Sequence, residues 1–114
     1  MSATRYFISL PEPAKAAIGG DFGFRSHSAG GFAGELQDAL RSDGLFERWR
    51  QSQDEPDEVD PKLGLVDPQA EVTGAHDDLH VDLIVTTTLP GDILRHRMRL
   101  LAGNAWQLRD VRAA

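Results

Sequence analysis

The chain has 114 residues, 40% apolar and 26% charged, and its eighteen acidic residues outnumber twelve basic ones for a net charge of -6. That is one domain's worth of chain, enough to enclose a single core, with no apolar run long enough to cross a bilayer and no signal-like segment at its start. Cysteine is absent, which excludes disulfides, thiolate catalysis and every cysteine-ligated metal, and accords with a reducing cytoplasm.

Thr4 to Leu10 predicts a short strand, rich in aromatic and branched residues and stopped by Pro11-Glu12-Pro13. Its core face should carry Tyr6, Ile8 and Leu10, and its other face Arg5, Phe7 and Ser9. Lys15 to Ile18 is too short to define a helix, and Gly19-Gly20 ends it before Phe22, Phe24 and Arg25 suggest a second extended run. From Gly31 the period turns helical: Phe32, Leu36, Ala39 and Leu40 form one stripe, with Ser28 placed to cap the N-terminus. Leu45 and Trp49 fall off that stripe, so Gly44 should break the helix and let Leu45, Phe46 and Trp49 fold over the core edge as a short second one.

Residues 54–69 hold Pro56, Pro61, Gly64 and Pro68 among acids, which reads as an irregular acidic crossover within the domain, pinned by Leu63, Leu65 and Val66. Glu71 to His76 and Leu79 to Leu89 then read as two strands of a hairpin around Asp77-Asp78. The longer strand alternates, with Leu79, Val81, Leu83, Val85, Thr87 and Leu89 on one face and His80, Asp82, Ile84, Thr86 and Thr88 on the other. A turn at Asp77-Asp78 would set Val72 opposite Leu83, Gly74 opposite Val81 and Thr73 opposite Asp82.

Pro90-Gly91 stops the strand, and Asp92 can cap a helix through Ile93, Leu94, Met98, Leu100 and Leu101 to Gly103. Arg97 falls inside that apolar arc. Three uses are open to it: its stem covers the core while the guanidinium reaches water, it pairs with an acid from the sheet, or it contacts a ligand. Ala105 to Arg112 supplies a last strand, with Trp106, Leu108 and Asp110 on one side and Gln107, Arg109 and Val111 on the other.

Charge divides along the chain. Residues 54–82 carry ten acids against Lys62, whereas residues 91–114 carry five arginines against two aspartates. Such a division suits association between oppositely charged surfaces. The overall sign disfavours nucleic acid, leaving only Arg95, Arg99, Arg109 and Arg112 as phosphate contacts.

No motif commits the chain to chemistry. His76, Asp77, Asp78, His80 and Asp82 resemble a metal set in composition, but hairpin spacing does not bring His76 and His80 together, and neither a metal nor another cofactor is expected. Ser26, His27, Ser28 and Asp21 contain the letters of a hydrolytic triad without a nucleophile-elbow pattern, so no catalytic residue is assigned. The glycine-rich stretches match no nucleotide-binding motif. A ligand pocket near Gly19–Gly31 would use Arg25, His27 and Arg97.

The elements together predict a two-layer α+β domain spanning 1–114: a four- or five-stranded, mainly antiparallel sheet with two helices on one face, in a ferredoxin-like βαββαβ order. Two helices cover one side only. The other should present Phe7, His80, Asp82, Ile84, Thr86, Arg109 and Val111, with Phe24 near them, to a protein partner or a second copy. The expected function is therefore non-enzymatic protein binding through that face or the acidic crossover. A small-ligand or enzymatic pocket and then nucleic-acid binding are the alternatives, and no membrane association is expected.

Overall fold

In the computed structural model, which describes residues 2–114, the chain begins with strand β1 (Thr4–Leu10) and a single turn of helix α1 (Pro13–Ala16). Met1, the first residue of the expected domain, lies outside the described residues. Helices α2 (Ala29–Arg41) and α3 (Gly44–Gln51) follow, then two 3-10 turns at Pro56–Glu58 and Pro61–Gly64, the hairpin β2 (Glu71–Asp77) and β3 (His80–Thr87), helix α4 (Gly91–Ala102) and strand β4 (Gln107–Ala113). The strands form one antiparallel sheet in the order β2-β3-β1-β4, and the helices pack on one of its faces. No helix among the described residues is long and apolar enough to cross a membrane.

The period-two pattern of β1 and β3 produces the sheet side of the core. Tyr6, Ile8 and Leu10 pair in register with Val85, Leu83 and Val81, and all six are buried beneath the helices. From above come Phe32, Ala33, Leu36 and Leu40 of α2, and Ile93, Leu94, Met98 and Leu101 of α4. Ser28 caps α2 as expected, its hydroxyl accepting the Gly31 N–H at 3.1 Å. The expected break also occurs: α2 ends at Arg41 and Gly44 opens α3, which turns Leu45 and Phe46 onto the core edge.

Five local expectations need correction. The run around Phe22, Phe24 and Arg25 is a loop, because positive φ at Gly19 and Gly20 folds the chain back instead of extending it. Phe24 is fully buried, edge-on to Phe32 at 5.0 Å, with its N–H on the Leu101 carbonyl, so it lies in the core and not on the open face. The hairpin turns at Asp78-Leu79, with Asp78 left-handed at φ 58°, so Val72 faces Val85, Gly74 faces Leu83 and Thr73 faces Ile84. Leu79 is consequently out in the turn, 85% exposed. The N-cap of α4 is Pro90, with Asp92 in the first turn.

The remaining corrections concern Arg97 and the crossover. Arg97 is fully buried, and its guanidinium reaches neither water nor an acid. It donates to the carbonyls of Ala39 (2.6 Å), Leu63 (2.9 Å) and Leu65 (2.7 Å). The crossover is thus held by its backbone, with Leu63 partly buried but Leu65 and Val66 exposed. Asp67 fixes its far end by accepting from the Thr87 hydroxyl (2.8 Å) and the Thr88 N–H (3.1 Å). Burial alone would raise the Asp67 pKa, but these bonds together with the Gln69 N–H hold it below its ordinary value.

His96, one residue from Arg97, is wedged against Trp49, ring to ring at 4.5 Å, and its Nδ1 is buried without a partner. Burial first, then the charges of Arg97 and Arg99, lower its pKa. Below the ordinary imidazole value of about 6.5 the unfolded chain therefore takes up the proton more readily than the folded one. The His96 contribution to the urea midpoint should be full above that pH and should be lost as pH drops from there toward the lower folded value. His96→Gln should remove this part of the slope, and an unchanged slope would show that His96 does not cause it.

Candidate functional site

The face of the sheet away from the helices is organised in rows that the strand register fixes. Across β4, β1, β3 and β2 the first row reads Arg112, Arg5, Thr86 and Glu71; the next Asp110, Phe7, Ile84 and Thr73; the next Gln107, Ser9, Asp82 and Ala75. Pro11, His80 and Asp77 close the end near the hairpin turn. The middle of this face is an open trough of about 740 Å³, lined by Phe7, Ser9, His80, Asp82, Ile84 and Arg109 among others. Phe7 and Ile84 are half-buried neighbours at its centre.

Six of the seven expected interface residues, Phe7, His80, Asp82, Ile84, Thr86 and Arg109, lie on or line this face, and Val111 does not. The cause is a bulge. Between Phe7 and Ile8 the β4 register shifts, so Phe7 faces Asp110 while Ile8 faces Leu108, and Arg109 is the extra residue. Beyond the bulge every β4 side chain changes sides relative to simple alternation: Val111 pairs with core-facing Tyr6, and Asp110 and Arg112 come to the open face. Arg112 lies over the Phe7 ring at 5.3 Å and binds Asp110 at 2.7 Å. The hydrogen bond from Arg112 and that from the Val111 N–H lower the Asp110 pKa.

Glu71 and Asp110 are not marked as site residues by the sequence, and Arg112 is marked only as a candidate phosphate contact, not as part of this face. Glu71 was open to discovery by alternation from Thr73, whereas nothing in the composition of β4 marks its bulge. The resulting face is polarised across the strands. Glu71, Asp77 and Asp82 lie on the β2-β3 half, and Arg5, Arg109 and Arg112 on the β1-β4 half, with Asp110 the one acid among them.

Of the five metal-like residues, three converge. His80 Nε2 is 3.3 Å from Asp82 Oδ1 and 3.8 Å from Asp77 Oδ2, and the three donor atoms lie within 4.8 Å of one another. One imidazole nitrogen and two carboxylates are donors for a borderline divalent ion, though solvent reaches all three. Asp78 is in the turn, and His76 points to the helix side, where its Nε2 accepts the Ala29 N–H at 3.4 Å.

The structure does not bring Arg25, His27 and Arg97 together. Arg25 lines a groove of about 850 Å³ between the Asp21–Gly23 loop, α2 and α3, with its guanidinium on the Gly20 carbonyl. His27 is exposed outside that groove, and Arg97 is inside the core. Ser28 is committed to the α2 cap, and the Ser26 N–H to Glu35. Arg95 and Arg99 lie exposed on α4, in the layer opposite the open-face Arg112, so these arginines do not form one patch. No family model matches the chain, and no curated protein or solved structure matches it with significance.

Proposed function

We propose that the chain is a non-enzymatic protein-association module of the cytoplasm, a ferredoxin-like βαββαβ layout with added short helices and turns, acting through the open face of its sheet. The observation that carries this reading is the pair Phe7 and Ile84, held half-exposed at the centre of a face that no helix covers and ringed by charged side chains of both signs. An apolar centre with a polar rim is the composition of a modest protein interface. The β2-β3-β1-β4 order and antiparallel pairing support the layout, and the lack of cysteine suits the compartment.

Site-directed photocrosslinking tests the reading. A photoreactive side chain replacing Ile84 should give protein adducts when the chain is irradiated in its native cells, and one replacing Arg95 on the helix side should not. Failure to form any protein adduct through position 84 would overturn it.

A further inference from the structure

We infer that the occupant of the open face is a second copy of this chain, related by a two-fold axis that runs parallel to the strands between β1 and β3. The inference rests on the association reading above and adds partner and geometry to it. Two sheets stacked face to face by a two-fold must have that axis in the plane between them, and its direction decides which residues meet.

An axis along the strands carries each position across the sheet to the mirror column of the same row. Phe7 then lies over Ile84 of the other copy, closing one apolar centre twice. In the same operation Glu71 on edge strand β2 is carried over Arg112 on edge strand β4, and Thr86 over Arg5. The acidic half of each copy meets the basic half of its mate. An axis perpendicular to the strands would instead lay each strand on itself end for end, keeping the acidic half over the acidic half and the arginine-bearing half over its like, with no Glu71-Arg112 contact, an arrangement electrostatics favours less. Aligned sheets rotate by about 30° against each other, which shifts the corner residues by several ångströms, within the reach of Glu and Arg side chains.

The contact is small. Four strands about 4.8 Å apart and seven residues rising about 3.3 Å each give a projected face of roughly 440 Å², against about 800 Å² per partner in a standard interface. The dimer should therefore exchange with monomer in the micromolar range.

Glu71 and Arg112 provide the test, because they occupy opposite edges of the sheet, about 14 Å apart at three strand spacings, and cannot pair within one copy. Sedimentation velocity across the micromolar range should show the purified wild-type chain reversibly dimerising. Glu71→Arg alone and Arg112→Glu alone should each weaken dimerisation roughly tenfold, since each sets two like-charged contacts in the homodimer. An equimolar mixture of the two variants should recover wild-type affinity, because in the heterodimer both contacts are again of opposite sign. A wild-type chain that stays monomeric throughout overturns the inference, and so does a dimer indifferent to both substitutions. If such a monomer still gives position-84 adducts with other proteins in cells, the association reading survives while the second copy is rejected. If position 84 gives no adduct of any kind, both fall.

Discussion

Arg97→Ala should cost the fold about 3–5 kcal/mol, the scale of breaking a buried charged hydrogen-bond network and opening a cavity behind it. The reason begins with how α2 ends. The last carbonyls of any helix lack an intrahelical donor, and here α2 ends at Arg41. Asp38 O is taken by the Ser42 N–H and Leu40 O by the Asp67 N–H, while Ala39 O has the Arg97 guanidinium. The same guanidinium holds Leu63 O and Leu65 O, so one side chain terminates a helix and anchors the crossover that follows. Its charge is offset by carbonyl dipoles and the nearby Phe46 ring at 5.9 Å. Burial lowers its pKa, with Asp43 pulling the other way, yet a guanidinium stays protonated at any physiological pH. Arg97→Lys should recover part of the loss, since an ammonium on a single stem cannot span the three carbonyls as a planar fork does. Urea unfolding measures both. A cost below about 1 kcal/mol for the alanine variant, the net worth of one ordinary hydrogen bond, would show that the three contacts do not act as a network.

The elements that were legible in advance are those whose signal is local and repeated. Alternation in β1 and β3 placed Tyr6, Ile8, Leu10, Val81, Leu83 and Val85 on the core side because side-chain direction in a strand has a period of two. The stripe of α2, its Ser28 cap and its break near Gly44 follow from helix geometry and cap chemistry. What was not legible depends on a single residue changing the phase. One left-handed residue, Asp78, moved the hairpin turn and shifted every β2-β3 pair by two positions. One bulge opposite Phe7 and Ile8 moved Val111 off the open face and put Asp110 and Arg112 on it. Aspartate tolerates the left-handed state, but Asp77 and Asp78 are equally suited to it, and nothing about Arg109 announces a bulge. Arg97 stands out in an apolar arc, but its partners are main-chain carbonyls 32 or more residues away in sequence, and a carbonyl is the same group at every position. The open face itself was foreseeable from the count of helices, whereas its polarity from edge to edge required the true register.

Gly74→Ala and Gly34→Ala should move stability in opposite directions although the substitution is the same. Gly74 lies in β2 on the helix side, opposite Leu83, where the N-terminus of α2 comes down on the sheet. A Cβ there would sit 2.5 Å from the Ala29 carbonyl oxygen and 3.1 Å from Leu83 Cδ2. The oxygen belongs to backbone that cannot recede freely, since Ala29 donates to His76, Ser28 caps the same turn and Phe32 is packed beneath it. The helix must therefore lift or β2 must peel away, and α2 also supplies Gln37 to satisfy the Val72 N–H on that strand. Overpacking of this kind costs about 1–3 kcal/mol. Alanine offsets less than about 1 kcal/mol of that by restricting the unfolded chain, so the net effect is a loss. Gly34, exposed in the middle of α2, has nothing within 4 Å of its would-be Cβ, and alanine there should stabilise by about 0.5–1 kcal/mol through helix propensity alone. Urea midpoints of the two variants against wild type decide the matter. Stabilisation by Gly74→Ala would mean that the Ala29 carbonyl of α2 does not rest against β2 as closely as this contact requires.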